Sequence, residues 1–336
     1  MKKVDAVFEG GGVKGIGLVG AVSAIEKAGY GFENLAGTSA GAIVAGLLAV
    51  GFNSEEIGEE LKKLDYNQFK DEEFPSKCKW LWKGLKILFK KGIYKGDYFE
   101  EWFKKLLEKK GKYKFGDIRT EYKEDKYKYK LQVIASDLTD QCLLVLPGDL
   151  QKFGEDPDDF SISKAIRMSM SIPIFFEPVE MKDKNKITHY IVDGGVLSNY
   201  PVWLLDDGSC NPEWPTFGFK LMEPQKRSLK KANPNPIKNT INYCYSIIGT
   251  LLNGHDNYHI SESKGDYART IGIPTEIEVN NLKKEIGTTY FDITKEESNL
   301  LFKNGEETAE KFLKEWNFQD WKKEYRKIAL NGNSIN

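Results

Sequence analysis

Apolar residues in the first fifty positions switch between two spacings. Residues 3–8 read as a strand, and Gly10, Gly11 and Gly12 break it with residues that accept any backbone angle. Over 15–28 the apolar positions Leu18, Val22 and Ile25 recur at helical spacing until Gly29 ends the pattern. Asn34-Leu35-Ala36 is a very short second strand. It runs straight into Gly37-Thr38-Ser39-Ala40-Gly41 and a small-residue apolar helix reaching Val50. Strand, turn and helix thus occur twice in succession, which predicts parallel strands, crossover helices and a layered α/β fold with covered sheet faces. Further strands are expected at 131–135, 143–146 and 188–192, and helices at about 54–64, 97–109, 161–170, 237–252 and 295–316.

Composition narrows this only a little. The 336 residues are 40% hydrophobic and 29% charged, ordinary for a globular chain, and 49 Lys+Arg nearly cancel 50 Asp+Glu. Overall charge therefore points to no partner, nucleic acid included. Cys78, Cys142, Cys210 and Cys244 lie far apart without a CxxC pair, so neither a zinc site nor a disulfide framework is indicated, and no metal or cofactor is expected. Asp5 and Glu9 interrupt the apolar run a secretory signal needs. No apolar stretch approaches the twenty or so residues of a transmembrane helix, and the chain reads as cytoplasmic.

One region departs from the average. Residues 77–130 carry 18 Lys/Arg against 8 Asp/Glu, with aromatics interleaved. Lys79, Lys83, Lys86 and Lys90 share one helical face while Trp82, Leu85, Leu88 and Phe89 occupy others. Two readings stand: a basic amphipathic helix for an anionic membrane surface, or a solvated helix covering the core.

The candidate chemistry lies at the strand ends. Gly37-Thr38-Ser39-Ala40-Gly41 matches G-x-S-x-G, whose small neighbours let the chain turn sharply and present a serine hydroxyl at a helix N-terminus. Gly10, Gly11 and Gly12 offer amides that could converge on an oxyanion. With Gly15 they also satisfy G-x-G-x-x-G, yet the second strand ends in Gly37-Thr38-Ser39 rather than in the acidic residue a dinucleotide ribose requires. A P-loop is excluded because Lys14 is followed by Gly15. Asp193-Gly194-Gly195 ends a strand, where the carboxylate can reach a nucleophile on a neighbouring strand, although Asp-Gly is also a common turn pair. Ser39 needs a base, and histidines are few. His189 lies inside a strand, and His255 and His259 share a polar stretch, which leaves a triad of Ser39, Asp193 and His255 open. Asp137 and Asp140 are rival carboxylates, expected to bond local backbone. Lys14 reads as solvated or as a cation for lipid phosphate.

The glycine loop, Gly-Thr-Ser-Ala-Gly and Asp-Gly-Gly, in this order, resemble the signature blocks of patatin-like acyl hydrolases. The stretch from Ser169 to Pro178 (SMSIPIFFEP) resembles a fourth block, and that from Asp193 to Val202 (DGGVLSNYPV) the family's aspartate block. The resemblance covers about 4–205, and nothing beyond about 225 is recognisable. It implies a three-layer α/β/α sandwich with a mainly parallel central sheet. It also implies a dyad of Ser39 as nucleophile and Asp193 as proton acceptor, and Gly10, Gly11 and Gly12 as oxyanion hole. Gly15, Gly37, Gly41, Gly194 and Gly195 complete the motifs. Implied substrates are phospholipids, other glycerolipids or acyl esters, without metal or cofactor. The expected organisation is a catalytic domain over 1–225 with the basic insert at 77–130, and a mainly helical extension over 226–336 packed on the same domain. Glu9 stands where the family often has Asp, and Tyr200 where a second Asn is common. A membrane-associated lipid-binding protein with little hydrolysis, and a hydrolase of soluble esters, are the alternatives.

Overall fold

The computed structural model describes residues 1–71, 79–121, 127–206, 208–223 and 265–326, with positions 243, 246, 247 and 250 between the last two. The first half of the chain forms β1 (Lys2–Phe8), α1 (Gly15–Lys27), β2 (Tyr30–Thr38), α2 (Ala40–Val50), α3 (Ser54–Lys63), α4 (Lys79–Lys90), β3 (Gly92–Tyr94) and α5 (Asp97–Lys110). Then come β4 (Leu131–Asp137), β5 (Cys142–Leu146), α6 (Ile162–Ser169), β6 (Ile174–Phe176), β7 (Val179–Lys182), β8 (Thr188–Asp193) and β9 (Thr216–Met222). The C-terminal part holds β10 (Thr270–Pro274), β11 (Glu276–Val279), β12 (Leu282–Glu285), α7 (Lys295–Glu315) and α8 (Phe318–Tyr325).

Among the described residues, eight strands form one sheet in the order β10-β9-β1-β2-β4-β8-β7, with β5 also paired to β4. From β10 to β4 every pairing is parallel, while β5, β8 and β7 run antiparallel to their neighbours. β1 is buried from Val4 to Phe8, as a strand between parallel neighbours and covered faces must be. Val4, Ala6 and Phe8 point into the main core with α1, α2 and α7, whereas Val7, Ala36 and Ile134 on the opposite face meet Leu204 and Leu205. The architecture is a mixed sheet, mostly parallel and flanked by helices, as the resemblance implies. α2 is buried along its whole length, which explains why its sequence is apolar all round rather than amphipathic.

α7 lies across α1 with backbone touching backbone. A Cβ on Gly20 would collide with the Phe302 carbonyl, and one on Gly305 with the carbonyl of Gly17. The C-terminal part also adds β10 to the sheet edge and the hairpin β11–β12, strands that helical periodicity does not foresee. β2 begins at Tyr30, four residues earlier than its apolar core suggests, because pairing with β1 recruits the half-buried Tyr30–Glu33 stretch. The expected helix at 237–252, together with His255 and His259, lies outside the described residues apart from the four isolated positions. No helix among the described residues is long and apolar enough to cross a membrane.

Candidate active site

Ser39 stands between the end of β2 and the start of α2 with φ 52° and ψ −125°. A non-glycine residue pays about 1–3 kcal/mol for such a backbone, so the turn must be held from several sides. Gly37 and Gly41 allow the close approach: a Cβ on Gly37 would collide with the backbone of Gly41, and one on Gly41 with the Phe8 carbonyl. The Ser39 amide donates to Ser169 Oγ at 2.9 Å, and Ser169 Oγ donates to the Ile134 carbonyl at 2.6 Å. Ser39 itself is only 4% exposed.

β4 brings the acid to the serine. β5 occupies one edge of β4 over Val133–Asp137, so β2 and β8 must share the other edge. β2 arrives parallel and ends with Thr38 opposite Ile134; β8 arrives antiparallel and ends with Asp193 opposite Ala135. Two strands thus meet end to end on consecutive residues of a third. A Cβ on Gly194 would collide with the Ile134 carbonyl, so the chain leaves β8 at this point only through a glycine.

Asp193 is 1% exposed, accepts the Gly195 amide at 2.8 Å on Oδ1 and lies close enough to the Ser39 side chain for the hydroxyl to act on its charge. Burial pushes its carboxyl from 3.8 up to about 7, against the Gly195 amide and Ser39 hydroxyl, which favour the charged form. Ser39 Oγ also lies 3.6 Å from Met170 Sδ.

The segment after Asp193 holds the other parts in place. Ser198 O accepts from Thr38 Oγ1 at 3.1 Å. Asn199 clamps Gly10 from both sides: its carbonyl accepts the Gly10 amide at 3.1 Å, and its Nδ2 donates to the Gly10 carbonyl at 3.2 Å. A Cβ on Gly10 would sit 3.1 Å from the Ser39 Cβ, so the glycine loop passes directly over the serine. The Gly10 amide is committed to Asn199, and the loop continues through Gly11 and Gly12 into α1.

The remaining sequence candidates lie around this centre. Asp137 does bond local backbone, accepting the amides of Thr139 at 2.9 Å and Asp140 at 3.3 Å. It also binds His189 Nδ1 at 2.7 Å and Lys152 Nζ at 2.8 Å. Asp137, Asp140 and His189 have the spacing to ligate a metal ion, but the Lys152 ammonium occupies that position, 2.7 Å from Asp140. His189 is thus tied to Asp137 rather than to Asp193. Lys14 is not solvated: it is 4% exposed and bonds Glu223 at 3.0 Å. Glu9, also buried, accepts the Leu221 amide and lies 3.4 Å from Lys220, tying β1 to β9. Tyr200 fills the space a side chain at Gly218 would take and bonds Thr270 at 2.8 Å. Ser169 and Asn199 have roles that no spacing in the sequence announces, although both sit inside the quoted blocks.

An apolar cavity of about 30 Å³ opens beside the serine. Ala40 and Met170 line it next to Ser39, and Gly12, Leu61, Phe69, Phe176 and Phe291 wall the rest.

The chain is similar to known proteins. The protein YqhO of Bacillus subtilis (strain 168) is 36% identical over 315 residues, spanning 94% of this chain and 99% of that one. Probable lipid hydrolase 463L of Invertebrate iridescent virus 6 is 24% identical over 202 residues, spanning 58% and 61%. Among solved structures, VipD from Legionella pneumophila is similar at a TM-score of 0.52 and 19% identity, over 93% of this chain and 66% of VipD. The type III effector protein ExoU is similar at a TM-score of 0.50 and 15% identity, over 96% of this chain and 54% of ExoU. At these identities the structural likeness concerns the fold. The family model described as Patatin-like phospholipase matches residues 6–206. That span takes in the glycine loop, the Ser39 turn and Asp193 alike, and the chain belongs to the patatin-like phospholipase family.

Proposed function

We propose that this chain is a serine acyl hydrolase that cleaves ester bonds of phospholipids or other acyl lipids, with Ser39 as nucleophile and Asp193 as its base. The observation that carries this reading is the meeting of β2 and β8 on Ile134 and Ala135, which sets a desolvated carboxyl against the Ser39 hydroxyl. An ordinary aspartate is too weak a base for an alcohol; one raised to about 7 is matched to proton transfer near neutrality.

Ser39 Oγ attacks the ester carbonyl carbon while Asp193 takes its proton. Negative charge forms on the former carbonyl oxygen, where the amides of Gly11 and Gly12 receive it; Gly10, whose amide serves Asn199, contributes clearance over the serine. The positive end of α2 supports the same charge. Collapse expels the alcohol, which takes the proton back from Asp193. Water, deprotonated by the same carboxylate, then attacks the acyl-enzyme and releases the acid and a free serine. The acyl chain enters the cavity between Ala40 and Phe291, and its small volume means that Phe69, Phe176 and Phe291 must part to admit a long chain.

The test is fatty-acid release from mixed phospholipid vesicles and from a soluble short-chain ester, comparing the native chain with Ser39→Ala and Asp193→Asn. Both variants should lose both activities by at least about a hundredfold. Absence of activity in the native chain on either substrate supports the non-hydrolytic lipid-binding alternative instead.

A further inference from the structure

α4 is turned the wrong way round for an ordinary surface helix. At 100° per residue, Trp82, Leu85, Phe89 and Leu88 fall on one stripe about 120° wide. That stripe faces solvent: Leu88 is 75% exposed, Phe89 74%, Trp82 48% and Leu85 37%. Two lysines of the shared face, Lys83 and Lys86, are directed inward. Lys86 bonds Glu177 at 2.9 Å and Lys83 lies 5.8 Å from the centre of the Tyr94 ring, while Ile87 packs on the core.

Large exposed apolar patches mark docking surfaces, and the surroundings of this one select the partner. Lys90 and Lys91 follow Phe89 directly, and Lys91 Nζ stands 4.1 Å from the Tyr190 ring centre. Tyr190 belongs to the β7–β8 hairpin, whose exposed side chains include Lys182, Lys184, Lys186 and the 52%-exposed Ile187. An apolar stripe bordered by a basic hairpin complements a surface that is anionic outside and apolar beneath. The site lies close by. α4 runs into β3, β3 pairs with β6, and Phe176 of β6 walls the apolar cavity beside Ser39.

We propose that α4 and the β7–β8 hairpin dock this chain on an anionic lipid surface, with Leu88 and Phe89 entering the acyl layer and Lys90, Lys91, Lys184 and Lys186 facing the headgroups. The proposal rests on the orientation of α4 and stands apart from the chemistry assigned to Ser39. It is tested with the full chain carrying Ser39→Ala, so that lipid composition stays fixed, by flotation with vesicles of phosphatidylcholine alone or mixed with phosphatidylglycerol. Binding should favour the anionic vesicles and weaken as salt rises. Adding Leu88→Ser with Phe89→Ser should lower it by at least about tenfold, and Lys184→Glu with Lys186→Glu should remove the anionic preference. In the serine-intact chain, Leu88→Ser with Phe89→Ser should leave short-chain ester turnover unchanged, which shows that the fold survives. No binding to either vesicle, or binding that the Leu88 and Phe89 changes leave untouched, overturns the proposal. So does a concentration-dependent dimer that those changes dissolve without any vesicle binding, since the stripe would then belong to a second copy.

Discussion

Replacing Asp193 by Asn should stop turnover and stabilise the protein at once. Asparagine keeps the shape and can still accept the Gly195 amide through Oδ1. It cannot take a proton from Ser39. General-base catalysis is worth about 10²–10⁴ in rate, so turnover should fall by that much. The stability effect follows from the buried carboxyl. With a folded value of about 7 against 3.8, the folded chain binds this proton more tightly than the unfolded one. Stability from this group is therefore greatest at low pH and is lost as pH rises from about 4 to about 7. The full cost, reached above pH 7, is about 4 kcal/mol at 1.36 kcal/mol per pH unit. Roughly 1.5 kcal/mol of it is already present at pH 5, so the advantage of Asp193→Asn over the native chain should grow by about 2.5 kcal/mol between pH 5 and pH 8. Urea unfolding of both proteins at the two pH values measures it, and the rise of native kcat/KM with pH should have its midpoint near 7. Asp5, also raised to about 7 by burial, titrates alike in both proteins and cancels from the comparison. A folded variant that retains turnover within tenfold of native, or whose relative stability is the same at pH 5 and pH 8, refutes the reasoning.

Gly41→Ala places a Cβ against the Phe8 carbonyl, and activity on a soluble ester should be lost together with several degrees of melting temperature. Ser169→Ala leaves the Ser39 amide and the Ile134 carbonyl without their shared partner; it should cost about 1–3 kcal/mol in unfolding experiments and lower kcat more than it raises KM. Burial pushes Asp137 up, but the bonds from Lys152 and His189 outweigh it and hold the carboxyl below its ordinary range. Lys152→Met should therefore cost about 1–3 kcal/mol near pH 7, an effect that fades as acid unfolding experiments descend below the ordinary 3.8. Phe291→Ala widens the cavity, and kcat/KM for long-chain relative to short-chain esters should rise by about tenfold or more.

What the sequence made legible is what local pattern controls. β1, α1, α2, α3, α5 and α7 follow from apolar spacing and from the breaker Gly29, and Ser39 and Asp193 are marked by glycines that the geometry requires. What stayed hidden depends on register between distant strands. Nothing in Asn199 announces that it takes the Gly10 amide, and Lys14 is indistinguishable in sequence from a solvated lysine until Glu223 is placed beside it. β3 and β6 have three residues each, too few for a period, and β10 contains Gly272 and ends on Pro274, residues that argue against a strand when read alone. α4 has the expected period, but its rotation is set by tertiary contacts, because Glu177 and Tyr94 hold Lys86 and Lys83 inward.

Because hydroxyl and carboxylate meet across one step of β4, their separation comes in discrete rungs. A slip of β8 by one residue would carry Asp193 about 3.3 Å along the ladder and turn it to the other face of the sheet, so a slightly detuned pair has no stable form. α4 takes no part in that spacing. It can lengthen, shorten or change its surface while the reacting atoms keep their distance. Diversity in where such a protein settles can then accumulate around α4 without any retuning of the chemistry beneath it.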